Sequence, residues 1–340
     1  MILRSLAITT ALFFTTSAIA QQSEREPAGI DPDRLEETVR TMASDQFEGR
    51  APGTVGEERT IGYLIGRLQG LGLEPGGEDG TWTQKVPLLH TRLGTPKTLS
   101  FEHGGTTKSL NFPKDIYVST LQPSDTAAID NAPLVFVGYG VDAPERGWDD
   151  FKGVDLKGKV AVFLVNDPDF HAQDGEEVAG TFGGRTMTYY GRWTYKYEEA
   201  ARQGALGALI VHETEPAGYP WSVVRGGWSG EQFSLPPDPS GPTPAGMVGW
   251  ISVDVARATL TSAGLDFDEL KARAATRAFN AVETGITVSA TVESSVRRVE
   301  TKNVVGLIRG SERPDEWITV SSHYDHFGVG EAVDGDSIYN

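Results

Sequence analysis

Three short apolar runs do most to limit the folds that this chain can adopt. They cover residues 133–140, 159–165 and 205–211. A continuous apolar run of this length is typical of a strand that is buried on both faces of a sheet. Residues 195–203 have the spacing of a helix, and Gly204 is placed to end it. The pattern predicts β-rich or α/β structure.

The segment before these runs adds two helices and a strand. Residues 33–44 have apolar positions at helical spacing, and a second helix begins near Glu57, with Gly72 as its stop. A strand is predicted over 82–89, and Pro87 within it favours an edge position, because proline has no N–H for a second neighbour.

The segment after them is irregular at first and then β-like. Residues 216–246 are rich in Gly, Pro and Trp, which predicts long surface loops. Residues 286–292 alternate as a strand does, and 303–308 are apolar. A short buried strand is predicted over 317–321, and it leads directly into a Ser-His-Tyr-Asp-His sequence at 322–326.

Composition narrows the class of protein. The chain has 340 residues, of which 39% are hydrophobic, so about two domains with real cores are expected. Its formal net charge of −17 argues against a nucleic-acid or anionic-membrane partner. It has no cysteine, which excludes disulfides, thiolate zinc sites and cysteine nucleophiles. Any bound metal is therefore expected on His, Asp or Glu.

The first twenty residues predict export. Arg4 precedes an apolar stretch over 6–14, and small residues end in Ala18-Ile19-Ala20. This is the pattern of a secretory signal peptide cleaved before Gln21. The apolar stretch is shorter than a membrane span, and no later segment is apolar enough to cross a membrane. A periplasmic or secreted protein is expected.

The candidate site is His323-Tyr324-Asp325, at the carboxyl end of the last predicted strand. On an extended backbone, residues i and i+2 project to the same side, so His323 and Asp325 are expected to act together. A neutral imidazole is a good zinc ligand, and a neighbouring carboxylate orients such a ligand. The alternative is a polar strand end with a capped turn. His326 is a less favoured candidate for the same site.

Sequence motifs in a fixed order resemble a known family of enzymes. They occur at both ends of the chain, over residues 42–54, 72–75, 303–306 and 320–326. Together they resemble exported zinc aminopeptidases of the co-catalytic two-zinc exopeptidase family, which includes aminopeptidase S, aminopeptidase Y and glutamate carboxypeptidase II.

The middle of the chain resembles the protease-associated domain that bacterial members of this family carry as an insert. The motifs lie at 136–140, 147–151, 158–162 and 199–205. The resemblance implies an α/β fold, in which an incomplete zinc-exopeptidase (phosphorylase/hydrolase-like) α/β/α domain is interrupted by a β-rich insert. The implied organisation has four segments: a signal peptide (1–20), the first part of the peptidase domain (21–110), the insert (111–285) and the resumed peptidase domain (286–340). The two peptidase segments are expected to pack together.

The family also implies a metal and a substrate. By position, His323 corresponds to a zinc ligand, and Asp325 to the aspartate that holds this histidine and supports catalysis. The implied reaction is removal of amino-terminal residues from peptides by a zinc-activated water, with two Zn²⁺ ions in a complete site. The family's bridging aspartate, Glu-Glu pair and other ligands have no counterpart in the 340 residues. The chain is therefore expected to be an inactive amino-terminal portion of such an enzyme.

Other polar residues have competing interpretations. The aspartates at 149–150, 167 and 169 are metal ligands or, as favoured, solvated loop carboxylates. Arg50 either lines the rim of the site or, as favoured, pairs with a local acid in its turn. Asp334-Gly335-Asp336 is interpreted as a polar turn rather than a calcium loop, because the spacing of calcium ligands is absent. The histidines at 171 and 212 are interpreted as structural or surface residues, and the tryptophans at 221, 228 and 250 as loop anchors.

A different class of function stays open beside the peptidase. The chain is alternatively a non-catalytic exported protein that binds peptides or proteins through the protease-associated module. The motifs of a serine hydrolase, a Walker A nucleotide-binding loop or a HExxH metalloprotease do not occur in the sequence.

Overall fold

The computed structural model describes residues 29–228 and 231–340, and strands contribute more residues than helices. The predicted signal peptide, 1–20, lies outside the described residues. The helices are α1 (Pro32–Met42), α2 (Val55–Gly70), α3 (Trp193–Arg202), α4 (Thr214–Ala217), α5 (Trp221–Trp228), α6 (Val253–Ser262) and α7 (Phe267–Ala274). None of the helices in these ranges is both long enough and apolar enough to cross a membrane.

The strands are numbered in chain order. They are β1 (Glu74–Pro75), β2 (Thr83–Leu93), β3 (Thr98–His103), β4 (Thr106–Ser109), β5 (Ile116–Ser119), β6 (Thr126–Phe136), β7 (Asp142–Ala143), β8 (Trp148–Asp149), β9 (Val160–Leu164), β10 (Gly207–His212), β11 (Glu231–Ser234), β12 (Met247–Ser252), β13 (Val282–Val304), β14 (Gly306–Leu307), β15 (Gly328–Val333) and β16 (Asp336–Tyr339).

Ten of these strands form one mixed sheet in the order β11-β2-β13-β6-β9-β10-β12-β5, with β3 beside β13 and β4 beside β3. The strands β6, β9, β10 and β12 run parallel to one another. The remaining pairs in the sheet are antiparallel. The fold is therefore a mixed α/β structure around a large sheet.

Apolar side chains pack on both faces of the central strands. On one face, Phe136 belongs to a core cluster with Leu260 of α6 and Phe267 of α7. On the other face, Val135 belongs to a cluster with Tyr197 of α3. Every residue of β9 and β10 is buried. The prediction of strands buried on both faces is confirmed, because helices cover the sheet on each side.

The longest strand, β13, joins two regions of the sheet. Its first part pairs with β6 and β3, and its second part, from Ser294 to Val304, pairs with β2. Ile286 and Val292 mark the ends of the predicted alternation, and residues 286–292 alternate between buried and half-buried, as predicted.

The early and late segments of the chain pack against each other. The strand β1 pairs with β14, β2 pairs with β13, and α2 packs on β13. The strands β3 and β4 lie instead beside the first part of β13, and β11 pairs with β2. Strand pairing thus runs continuously across the boundaries proposed at 110 and 285, which remain a prediction.

The predicted helices and the first strand are confirmed. Gly72 follows the end of α2 with a φ of 78°, and its N–H donates to the Gln69 carbonyl at 2.9 Å. Glycine adopts this left-handed conformation without steric cost. Within the described residues, β11 pairs with Leu89–Arg92 and not with Pro87, so β2 has a neighbour on one side at Pro87. The proline therefore lies where the strand is an edge.

Two predictions of secondary structure are wrong. Residues 216–246 contain α5 and β11 rather than long loops alone, because apolar side chains within them find partners: Val224 is buried, and Phe233 packs on His90 at 4.8 Å between ring centroids. Residues 317–321 are not a strand, and Ile318 is 95% exposed. The apolar sequence there has no partner strand in the described part of the chain, and a strand needs one to pair its backbone.

Candidate functional site

The two predicted site residues, His323 and Asp325, lie on the surface and face each other. The His323 Nδ1 atom is 3.6 Å from Asp325 Oδ1 and 3.0 Å from the Asp325 carbonyl oxygen. Their side chains are 81% and 51% exposed, whereas Tyr324 between them is half-buried. The pair therefore projects to one side and Tyr324 to the other, as expected from the spacing. The segment does not follow a buried strand, so that part of the prediction is wrong.

Tyr324 is held at its phenol end. Its hydroxyl lies 2.5 Å from the Lys302 carbonyl oxygen and 3.0 Å from Oε1 of Glu57. Burial raises the pKa of the Tyr324 phenol above its ordinary value, and the charge of Glu57 acts in the same direction. The phenol therefore stays protonated at neutral pH, and its one proton can be donated to either of these acceptors.

Glu57 is a buried carboxylate at the start of α2. It is 2% exposed, and its Oε2 accepts a hydrogen bond from the Gly53 N–H at 2.6 Å. The Thr301 hydroxyl donates to its Oε1. An acid in the first turn of a helix is favoured by the helix dipole. Glu57 therefore joins α2, β13 and the segment of Tyr324.

Glu57 was not predicted from the sequence as part of the site, although the sequence does indicate that Glu57 lies at a helix start. Residues 54–57 have the T-x-x-E pattern of a capping box, and the Thr54 hydroxyl accepts from the Glu57 N–H at 3.3 Å. The pattern predicts a helix start, but it does not predict that residues almost 250 positions later bond to the same carboxylate.

Arg50 reaches the same segment from the loop before α2. It is 8% exposed, and its Nε donates to the Tyr324 carbonyl at 2.9 Å, while Nη1 donates to the Met42 carbonyl. Burial lowers the pKa of the guanidinium, and the charge of Asp325 partly offsets this. The favoured prediction of a local acid partner is wrong, because the guanidinium bonds carbonyl groups, one of them in the candidate site.

The hairpin of β15 and β16 packs on the loop that carries Arg50. Gly49 has a φ of 63°, and a Cβ atom there would lie 2.5 Å from the carbonyl oxygens of Gly328 and Tyr339. His326 Nδ1 is 3.0 Å from the Tyr339 carbonyl oxygen. His326 therefore contacts the hairpin backbone. The hairpin turn at 334–335 has φ values of 55° and 92°, which confirms the predicted polar turn.

The donor set does not make a complete zinc site. Within residues 29–228 and 231–340, no three His, Asp or Glu side chains gather as a metal would require. His323 and Asp325 are a pair, and a catalytic zinc takes about three protein ligands and a water. The residues present do not fit the two-zinc centre implied by the resemblance, and no step through zinc is assigned to them.

Three aspartates predicted to be solvated loop carboxylates are buried instead. Asp150, Asp167 and Asp169 are each at most 1% exposed, whereas Asp149 is exposed. Asp150 accepts from Trp148 Nε1 at 2.8 Å and from the Val141 N–H at 2.9 Å. Burial raises the pKa of Asp150 to about 7, against the opposing effect of these donors.

A buried lysine lies among these loops. Lys196 of α3 is fully buried, and its Nζ donates to the carbonyl oxygens of Tyr139 at 2.5 Å and Asn166 at 3.1 Å. Burial lowers its pKa to about 8, whereas Asp167 and Asp150 act to raise it. The cluster has hydrogen-bond partners in the loops that follow β6 and β9, and it is interpreted as structural.

His212 and Trp250 are core residues. Trp250 is fully buried in β12, and its ring centroid lies 5.8 Å from that of His212. His212 Nε2 is 3.0 Å from the Tyr219 carbonyl oxygen, and burial lowers its pKa. Trp221 also packs on His212, at 5.4 Å, and His171 packs on its neighbour Phe170, at 4.8 Å. The structural interpretation of both histidines is confirmed; the Trp228 side chain lies outside the described part of the molecule.

Comparison with solved structures finds likeness to aminopeptidases. One is an aminopeptidase from Aneurinibacillus sp. strain AM-1, with a TM-score of 0.35 and 17% identity over 83% of this chain and 49% of that chain. Another is BSAP, a zinc aminopeptidase from Bacillus subtilis, with a TM-score of 0.32 and 16% identity over 82% of this chain and 47% of that one. The chain spans about half the length of these structures. No family model and no curated protein matches the sequence.

Proposed function

We propose that this chain is part of an exported zinc-dependent aminopeptidase, with His323 as a zinc ligand and Asp325 as the carboxylate that orients it. In this proposal residues 1–20 direct export, 111–285 form a protease-associated insert, and peptides are the substrates. A zinc ion held in part by His323 would supply a Lewis acid and an activated water. The 340 residues alone are proposed to lack activity.

The observation that carries the proposal is the contact between the imidazole and the carboxylate. His323 Nδ1 lies 3.0 Å from the Asp325 carbonyl oxygen and 3.6 Å from Asp325 Oδ1, and Nε2 has no hydrogen-bond partner among the described residues. An oxygen acceptor at one ring nitrogen, here the Asp325 carbonyl with the carboxylate close by, fixes the tautomer and raises the basicity of the other nitrogen, which is the usual arrangement around a metal-bound histidine. The exposed position leaves Nε2 accessible to a metal ion.

Zinc binding by the 340-residue chain tests the ligand assignment. We expect Zn²⁺ titration to perturb the ring signals of His323 in an NMR spectrum, and His323→Ala to abolish the strongest binding event. His103→Ala is the matched control, because His103 is a half-buried histidine away from the candidate site, and its Nδ1 lies 2.9 Å from the Gly285 carbonyl oxygen. Binding that survives His323→Ala unchanged contradicts the assignment.

A turnover assay tests the proposal that the 340-residue chain alone lacks activity. We expect no release of amino-terminal residues from peptides by the 340-residue chain in excess Zn²⁺, because one histidine and one carboxylate do not complete a catalytic zinc site. Stoichiometric zinc together with turnover would contradict this. Peptide binding without zinc binding would instead favour the non-catalytic binding protein.

A further inference from the structure

We infer that Tyr324 is a positioning residue, which fixes the facing arrangement of His323 and Asp325 by being clamped at both its phenol and its carbonyl. The inference rests on the proposed function in taking this pair as the reactive one. The clamp itself is formed by Glu57, Arg50 and the backbone of Lys302, and it consists of contacts present without any metal.

The first half of the clamp acts on the side chain. The Tyr324 hydroxyl lies between the Lys302 carbonyl oxygen, at 2.5 Å, and the Glu57 carboxylate, at 3.0 Å. Glu57 is 2% exposed and is itself held by the Gly53 N–H and the Thr301 hydroxyl. A hydrogen bond to a charged acceptor in a buried site is stronger than one in water. The phenol is therefore fixed to both α2 and β13.

The second half of the clamp acts on the main chain. Arg50 Nε donates to the Tyr324 carbonyl at 2.9 Å, and the same guanidinium bonds the Met42 carbonyl at the end of α1. The His326 N–H in turn donates to the Arg50 carbonyl at 3.4 Å. The hydroxyl and the carbonyl of Tyr324 are thus both bonded to the amino-terminal part of the chain. Residues 317–321 before it are exposed and do not form a strand.

The consequence for the neighbouring residues follows from backbone geometry. With the Tyr324 side chain fixed inward, residues 323 and 325 project outward together, which brings His323 Nδ1 to 3.6 Å from Asp325 Oδ1. No helix or strand includes His323 or Asp325. The facing pair therefore depends on the anchored tyrosine between them rather than on regular secondary structure.

The test is an NMR comparison of the metal-free 340-residue chain with its Tyr324→Phe variant, which keeps the ring and removes the donor. We expect backbone order parameters at 323–326 to fall from about 0.85 in the wild type to about 0.6 or lower in the variant. We also expect the His323 ring nitrogen signals to move toward those of an unrestrained histidine. Tyr63→Phe is the control, because among the described residues its hydroxyl has one hydrogen-bond partner, Arg67 at 3.3 Å, on the same helix.

A second variant tests the same inference in case Tyr324→Phe does not fold. Glu57→Gln replaces one accepting oxygen by a donor, so we expect loosening of 323–326 in the same direction. Glu58→Gln is its control, since that carboxylate pairs with Lys302 and is 61% exposed. Unchanged order parameters and His323 signals in folded Tyr324→Phe overturn the inference. If Zn²⁺ does not perturb His323 in the wild type, the assignment of His323 as a zinc ligand is wrong. The positioning role of Tyr324 is tested separately, by the metal-free spectra.

Discussion

Arg50 and Tyr324, separated by 274 positions in the sequence, are joined by a 2.9 Å hydrogen bond from the guanidinium Nε to the backbone carbonyl. The bond connects the loop before α2 to the candidate site. It is made by a residue with a φ of 57°, a conformation that costs a non-glycine residue about 1 kcal/mol or more. The loop therefore holds a strained arginine in place to reach the site segment.

Replacing Arg50 is expected to destabilise the protein. Arg50→Ala leaves the carbonyls of Tyr324 and Met42 without their donor, at a cost of about 2–4 kcal/mol in the free energy of unfolding. Arg50→Gly loses the same donor but adopts the positive φ freely, so its loss should be smaller by about 1 kcal/mol. Urea unfolding measures both. Equal losses for the two variants would contradict the assignment of backbone strain.

The matched control is Arg40→Ala. The Arg40 side chain is 77% exposed and pairs with Glu36 one turn away on α1. Surface substitutions of this kind stay within about 0.5 kcal/mol of the wild type.

Gly49 is expected to tolerate no side chain. In Gly49→Ala the new Cβ would meet the backbone carbonyl oxygens of Gly328 and Tyr339 at 2.5 Å, so the β15–β16 hairpin has to move. We expect a loss above about 2 kcal/mol and faster hydrogen exchange in the hairpin. Gly72→Ala is the control, with a φ of 78° but no atom within 4 Å, and it should cost only about 1 kcal/mol. A larger loss for Gly72→Ala would refute the packing argument.

The sequence predicts the central sheet well because its strands are buried on both faces. Runs such as 159–165 and 205–211 need only apolar residues and a short length to be recognised. β9 lies within the first run, and β10 begins in the second and ends one residue beyond it. The same reasoning fails at 317–321, where Ile318 and Val320 are 95% and 93% exposed. An apolar run becomes a strand only when another strand accepts its backbone hydrogen bonds, and that partner is not encoded locally.

The candidate site was predictable only in part, because its contacts with distant parts of the chain are not encoded locally. The pairing of His323 with Asp325 follows from local spacing along the chain. The clamp on Tyr324 does not, because Glu57 and Arg50 lie more than 260 positions away and meet it through tertiary packing. The burial of Asp150 was likewise missed, since its acceptance of the Trp148 and Val141 N–H groups depends on how the loops close.

Asp150 should make stability fall as the pH rises from about 4 to about 7. Burial raises its folded-state pKa to about 7, so between the unfolded pKa of about 4 and that value the folded state binds more protons than the unfolded state. The stabilisation is complete below about pH 4 and is lost as the pH passes the folded pKa. A shift of this size corresponds to about 2–4 kcal/mol.

The comparison with Asp150→Asn isolates this effect from other groups. We expect the difference in unfolding free energy between wild type and variant to change between pH 4.5 and pH 7.5, with the wild type losing its relative advantage. Asp149→Asn serves as the control because that side chain is exposed. A pH-independent difference for Asp150→Asn would show that its carboxyl does not titrate with a raised pKa.

Lys196 should make the free energy of unfolding rise with pH, at a higher pH than the fall caused by Asp150. Burial lowers its folded pKa to about 8, so between about 8 and 10.4 the unfolded state binds more protons, and stability rises with pH. Lys196→Met removes this rise, but it also leaves the Tyr139 and Asn166 carbonyls unpaired and removes the positive charge that acts on Asp167 and Asp150. We therefore expect a loss of about 3–5 kcal/mol at pH 7.

The double variant Lys196→Met with Asp150→Asn separates the charge from the packing. Lys196 and Asp150 interact through their charges, so the double variant should lose about 1–2 kcal/mol less than the sum of the single losses. Calorimetric or urea unfolding of the four proteins at pH 7 completes the cycle. Strict additivity would mean that the charges of Lys196 and Asp150 do not interact, and that the ammonium acts through its bonds to the two carbonyls at 2.5 and 3.1 Å.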